Sequence, residues 1–235
     1  MKIVVSLSIV VIVIAGFLYF ALSAEAPDNN SETAKLLDKS DTEREAAIQN
    51  AESSVLDAKL LIGDSSALVT VVEYFDYKCP NCNTFHRTIK PELQAKYGED
   101  RINFELRATP IIGPDSARAA RGAYCSAEQG LFNEYHDLVM NYMWDNYYKS
   151  GNFAAEFEDI LTEQEILTIT ETLALDEASF SQCLSSLKYN PALDRDLLAA
   201  ADDGVRGTPG FVIGEQSFVG TQPLSVFEAL IEAQE

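Results

Sequence analysis

Two cysteines stand two residues apart in EYFDYKCPNCNTF, at positions 79 and 82. Such a pair serves as one knuckle of a zinc site, as a short structural staple, or as a dithiol that exchanges electrons with other proteins. Zinc commonly takes four Cys or His ligands from two such knuckles. The other cysteines, Cys125 and Cys183, stand alone, and His86 and His136 form no ligand pair. No metal and no cofactor is therefore expected. A disulfide across so small a loop restricts the unfolded chain little, which leaves a staple with little to do. The spacing favours exchange.

Exchange needs an attacking and a resolving thiol, and the flanking elements supply both positions. Leu68 to Phe75 is a short, apolar, β-branched run bounded by Asp64, Ser65 and Ser66, the signature of a buried central strand. After it, Phe85, Ile89, Leu93 and Tyr97 make one helical stripe that stops at Gly98. Cys79 thus falls in the first helical turn, among backbone N–H groups without internal partners and at the positive end of the helix dipole, both of which favour thiolate. Pro80 pre-sets that turn. Cys82, one turn in, is placed to attack a mixed disulfide at Cys79. Lys78 either adds positive charge beside Cys79 or is plain solvated charge, and an exposed lysine next to a strand is expected to be the latter. Pro91 predicts a kink in the helix, because it removes a backbone donor and crowds the preceding turn.

RINFELRA alternates Ile102, Phe104 and Leu106 in a strand period, completing a β-α-β unit. From Ser116 to about Asp203 the pattern is helical. Strand signals return in Phe211–Ile213 and Ser217–Val219 around a turn at Gly214-Glu215-Gln216, which suits a hairpin. A last helix carries Leu224, Phe227, Leu230 and Ile231 on one face.

The chain of 235 residues carries a formal charge of −20, which repels phosphate backbones and argues against nucleic acid as a partner. Lys2 is followed by a nearly continuous apolar run from Ile3 to Leu22, either an uncleaved membrane anchor or a cleaved export signal. Its twenty residues match the thickness of a bilayer, which favours the anchor; Ala21, Ser23, Ala24 and Ala26 offer a cleavage site. Either way the body of the protein lies outside the cytoplasm, where disulfides persist. Cys125 and Cys183, each in a helical stretch without a neighbouring thiol, should then pair with each other.

EYFDYKCPNC after a buried strand, the helical insertion, and GVRGTPGFVIG before the last hairpin resemble the bacterial disulfide oxidoreductases of the DsbA-like branch of the thioredoxin superfamily. The likeness runs from about Leu60 to the C-terminus, and its most specific element is C-P-x-C followed about 130 residues later by G-T-P. It implies an α/β thioredoxin fold at residues 56–115 and 204–235, interrupted by a helical domain at 116–203; composition adds a polar, partly helical tether at 25–55 after the N-terminal segment at 1–24. It also implies that Cys79 attacks and Cys82 resolves, that Pro209 is a cis proline facing the sulfurs with Thr208 before it, and that Glu73 is the acidic group buried beneath the motif. A carboxylate turned into the interior has a raised pKa and can take the proton from Cys82; one facing water does nothing special. Asn81 stands where the best-known oxidase has histidine, and Gly210 follows the proline, so a milder oxidant is expected.

The implied partners are exported cysteine-containing proteins, which receive the Cys79–Cys82 disulfide, and a membrane redox partner that reoxidises the pair. An isomerase or reductase would keep the pair reduced. A chaperone-like module would bind unfolded polypeptide without electron transfer. His86, one turn beyond Cys82, either approaches that sulfur or is an ordinary helix residue, and His136 is expected to be structural. The aromatic run NYMWDNYYK either lines a groove or fills the core of the insertion, the latter being expected.

Overall fold

The computed structural model describes residues 53–55 and 57–234. Its centre is a five-stranded sheet of order β1-β3-β2-β4-β5: β1 (Leu60–Ile62), β2 (Val69–Phe75), β3 (Ile102–Ala108), β4 (Gly210–Ile213) and β5 (Gln216–Val219). Only β2 and β3 run parallel; every other pairing is antiparallel. The parallel pair is joined by α1 (Pro80–Thr88) and α2 (Lys90–Tyr97). Leu68 stays outside β2 and is largely exposed.

The kink expected at Pro91 is a full break. Pro91 lies in the first turn of α2, where its missing N–H removes no helical bond, and Ile89 caps both helices: its N–H goes to the Phe85 carbonyl, and its carbonyl accepts from Leu93. The hairpin turn is two residues, Gly214 and Glu215, with Ile213 paired to Gln216. Gly214 has φ +59, a conformation open to glycine at the first central position of a hairpin turn.

Between β3 and β4 lie α3 (Pro114–Ala127), α4 (Phe132–Asn146), two 3-10 turns at Tyr148–Ser150 and Phe153–Phe157, α5 (Glu163–Thr170), α6 (Glu177–Ser186) and α7 (Asn190–Asp202). The first insertion helix therefore starts at Pro114. Helix α8 (Leu224–Glu232) closes the fold.

Residue alternation along β2 divides the core. Val69, Val71 and Phe75 share the main core, whereas Tyr74 packs with Ala200 of α7 and Val205. On the main-core face an aromatic cluster binds the sheet to its helices: Phe85 of α1 lies 4.6 Å from Phe211 of β4 and 5.3 Å from Phe227 of α8, ring centre to ring centre. This clamp holds the start of α1 at the carboxyl end of β2. Met143 and Tyr148 of the aromatic run are buried, and Tyr142, Trp144 and Tyr147 pack partly against the core. Among the described residues no helix is long and apolar enough to cross a membrane. The apolar run from Ile3 to Leu22 and nearly all of the tether lie outside them.

Cys125 of α3 and Cys183 of α6 are joined by a disulfide that spans 58 residues. By the chain-entropy model, closing a loop of that length stabilises the fold by at most about 4 kcal/mol. The double substitution Cys125→Ala/Cys183→Ala should therefore lower the denaturant midpoint by an amount worth about 2–4 kcal/mol, with Cys79 and Cys82 intact. Equal midpoints for the two proteins would show that the link adds nothing.

Candidate active site

The carboxyl end of β2 turns into α1 through Asp76, Tyr77 and Lys78, and buried polar groups shape that turn. The Asp76 carboxylate accepts from the Lys78 backbone N–H at 2.9 Å, a local turn-closing bond, and from the N–H groups of Ile111 and Ile112 at 3.0 and 3.1 Å. The Cys79 N–H donates to the Asp76 carbonyl at 3.0 Å. Asp76 so fixes both the entry to the motif and the loop after β3.

The expectation of a solvated Lys78 is overturned. Its side chain is 1% exposed, and Nζ lies 2.9 and 2.8 Å from the two oxygens of Asp115, which is equally buried. Nζ also donates to the Glu158 carbonyl, and the Lys78 carbonyl accepts from the Tyr148 hydroxyl. Asp115 in turn accepts from the N–H groups of Ile160 and Leu161 at 2.9 and 3.3 Å. Burial works against its ionisation, but Lys78 and these amides outweigh it and hold the Asp115 carboxyl below the usual range. The lysine charge is matched by Asp115 rather than offered to Cys79. A buried cation survives only when paired in this way.

Cys79 is the N-cap of α1, one position before the first turn expected, with Pro80 as the first helical residue. Its sulfur takes the role of a capping oxygen, accepting from the Cys82 N–H at 3.4 Å. Cys79 and Cys82 are free thiols, 5% and 0% exposed. Their environments push them apart. The Cys82 thiol, hydrogen-bonded to Cys79, is the main cause that lowers the Cys79 pKa from 9.0 to about 7; burial opposes it, and Thr208 and the Cys82 and Asn81 amides assist. Burial, then the bond to Cys79, pushes Cys82 well above the usual thiol range.

The Thr208–Pro209 peptide is cis, and the Cys79 thiol donates to the Thr208 carbonyl at 3.2 Å across 129 residues of sequence. Gly210 follows for a steric reason: a Cβ there would lie 2.1 Å from a Val205 methyl and 3.0 Å from the Gly207 carbonyl. Asn81 is exposed, and its carbonyl accepts from the Thr221 hydroxyl at 3.0 Å, which ties the motif to the loop after β5.

Glu73 lies in β2 between Leu106 and Phe211, on the face shared with Val71 and Phe75, and is 2% exposed. Its Oε1 makes no hydrogen bond within the protein. Burial pushes its carboxyl up to about 8, against the pull of Lys90 and with a small push from Cys79. Lys90 is itself buried, and desolvation lowers its pKa.

His86 and His136 pack edge to face at 5.0 Å between ring centres. Desolvation lowers His86 to about 3 and His136 well below the ordinary value, so both rings are neutral at physiological pH. The 3.4 Å approach of His86 Nε2 to Asp137 is then a polar contact rather than an ion pair. Among the described residues no three His, Cys, Asp or Glu side chains are brought together as metal ligands.

Reading the sequence alone misses Asp76, Asp115 and Tyr148. A signal existed for Asp76, an aspartate two residues before the last position of a strand-to-helix turn. None existed for Asp115 and Tyr148, which reach the motif only through the folded insertion.

A sequence model described as thioredoxin matches residues 56–233. The chain belongs to the thioredoxin family. A protein named as a protein-disulfide oxidoreductase in Rickettsia prowazekii is 27% identical over 191 residues, which cover 79% of this chain and 66% of that one. The chain thus spans just under two thirds of that relative's length. Among solved structures, a thioredoxin-like oxidoreductase from Silicibacter pomeroyi aligns with TM-score 0.62 at 22% identity, covering 77% of this chain and 95% of the other. The alpha-DsbA1 protein of Wolbachia pipientis aligns equally well, with TM-score 0.62 and 22% identity over 78% and 95% of the two chains. At such identity the likeness is one of fold, and the fold is the DsbA-like form of the family.

Two pH dependences follow. Because the folded pKa of Cys79 lies below its unfolded value, the reduced protein gains stability as pH rises from about 7 to about 9 and loses it as pH falls through about 7. The full gain is about 3 kcal/mol, at ~1.4 kcal/mol per unit. Cys82, pushed up, begins to subtract only above about 9. Melts of the reduced and oxidised forms across this range, with thiolate absorbance recorded alongside, check the sign. Glu73 acts oppositely, since its folded pKa is raised: the protective effect is complete below about 4.5 and is lost as pH rises to about 8. Glu73→Gln should remove that slope and melt higher than the unsubstituted protein at pH 8. A Gln variant with an unchanged slope would place the titrating group elsewhere.

Proposed function

We propose that this chain is an extracytoplasmic thiol-disulfide oxidoreductase whose Cys79–Cys82 disulfide is donated to exported proteins. The observation that carries the reading is the asymmetry of the two sulfurs: one caps a helix with its pKa lowered to about 7, the other is fully buried with its pKa raised. A substrate thiolate attacks Cys79 Sγ, a mixed disulfide forms, and the Cys79–Cys82 bond breaks with its electron pair on Cys82. Protonated Glu73, raised to about 8, supplies the proton that Cys82 takes up. A second substrate thiolate then attacks the substrate sulfur and expels Cys79 as thiolate. Two electrons have moved from the substrate dithiol to the protein, whose proton count is unchanged: the substrate's two thiol protons went to solvent, and Cys82 carries the proton given up by Glu73. The Thr208 carbonyl, 3.2 Å from Cys79, lines the approach. A membrane partner would regenerate the disulfide, and the run from Ile3 to Leu22 would hold the protein near it.

Direction depends on how strongly the reduced pair is favoured. With Cys79 near 7, about half is thiolate at neutral pH, so ionisation favours the reduced state only about twofold, about 0.4 kcal/mol or ~10 mV. That small bias supports a mild oxidant and keeps isomerase or reductase activity as the second reading. Cys82→Ala should accumulate mixed disulfides with exported proteins, and Cys79→Ser should abolish both trapping and turnover. Trapping of cytoplasmic proteins only, or turnover that survives Cys79→Ser, would refute the proposal. The redox state of the pair in intact cells, read by alkylation, separates the directions: an oxidase is found largely as disulfide.

A further inference from the structure

The segment from Tyr148 to Leu161 is clamped beside the nucleophile yet turns apolar side chains to solvent. Its buried anchors are the Tyr148 hydroxyl on the Lys78 carbonyl, the Lys78 ammonium on the Glu158 carbonyl, and Asp115 on the N–H groups of Ile160 and Leu161. Phe153 stacks on Tyr148 with ring centres 6.0 Å apart and planes 19° from parallel. Phe153 nevertheless remains 53% exposed and Phe157 78%. Covering these rings removes apolar surface from water, a gain that a docking partner can recover. The stretch NFAAEFEDIL at 152–161 also holds three acids and no Lys or Arg; Asp159 is paired with Arg118 at 3.2 Å, and Glu156 and Glu158 form no ion pair among the described residues. An apolar, acidic surface anchored to Lys78, the residue before the attacking cysteine, suits a partner of opposite charge.

We propose that this arm docks extended substrate segments that carry apolar and basic side chains beside the reacting cysteine. The proposal deepens the exchange function above and rests on it. The arm lies outside the exchange chemistry itself: Phe157 would seat an apolar side chain, and Glu156 and Glu158 would draw the basic one. Docking then raises the local concentration of the substrate thiol at Cys79.

The test uses the oxidised full chain and three thiols: glutathione, a cysteine peptide flanked by Arg and Phe, and a matched peptide flanked by Glu and Ser. With glutathione as internal reference, the basic aromatic peptide should react about tenfold faster in kcat/KM than the acidic one, a preference of ~1.4 kcal/mol. Phe157→Ser should cut that preference severalfold at any salt concentration. Glu156→Gln/Glu158→Gln should cut it at low salt, with the difference from the unsubstituted protein fading as salt screens the charges. Fluorescence anisotropy of the Arg-Phe peptide with its cysteine replaced by serine reads docking without exchange, and binding should weaken in both variants. Normal exchange with glutathione but equal rates for the two peptides in all proteins would overturn the docking surface alone. Binding of the serine peptide without any exchange would leave the surface standing and sink the oxidoreductase reading.

Discussion

A sulfur atom that serves as a helix cap is the constraint around which the molecule is arranged. The first turn of α1 leaves backbone N–H groups without partners, and Cys79 Sγ satisfies one of them while meeting the Thr208 carbonyl on its other side. That dual contact requires β2, α1 and the Thr208–Pro209 loop to hold fixed positions. The sheet order supplies them, since β4 pairs with β2 directly after Pro209 and brings residue 210 opposite Tyr74. The aromatic cluster of Phe85, Phe211 and Phe227 locks the same helix and strand from the core side.

Holding a thiol at such a junction means burying polar groups, and this chain buries them with partners. Asp76 gathers three backbone donors. Lys78 and Asp115 neutralise each other and anchor the insertion. Buried pairs of this kind contribute little net stability against an apolar replacement, so their role here is one of position. Glu73 is the contrast, a buried carboxyl with an oxygen left unpartnered. Its protonated form is favoured at neutral pH by burial, and that makes it useful in a step that must supply or remove a proton.

The insertion does more than cover the sheet. Through Asp115, Tyr148 and the Glu158 carbonyl it grips the residue that precedes Cys79, and the same segment carries Phe153 and Phe157 into solvent. The ionisation of Cys79 is set at the strand-helix junction, and the surface beside it by the helical insertion. The disulfide between α3 and α6 cross-links the insertion.

Local features were legible without the fold. The change from period two to a helical stripe located β2, α1 and β3; Pro91 marked an interruption, expected as a kink and found as the start of α2; and Gly214 marked the hairpin, because each rests on backbone geometry within a few residues. The C-P-x-C motif likewise carried, in its own spacing, the placement of two sulfurs at the start of a helix. Burial was not legible, since it depends on what the rest of the chain brings to a side chain. Lys78 reads as a solvated charge and is enclosed because residues 115, 148 and 158 fold over it. His86 and His136 are neutral because the fold buries both rings and sets Lys90 nearby. The sequence by itself determined which sulfur atoms stand two residues apart and which elements carry them. Only the tertiary structure decided the ionisation of those atoms and their neighbours, because a pKa shift is set by desolvation and by partners more than a hundred residues away.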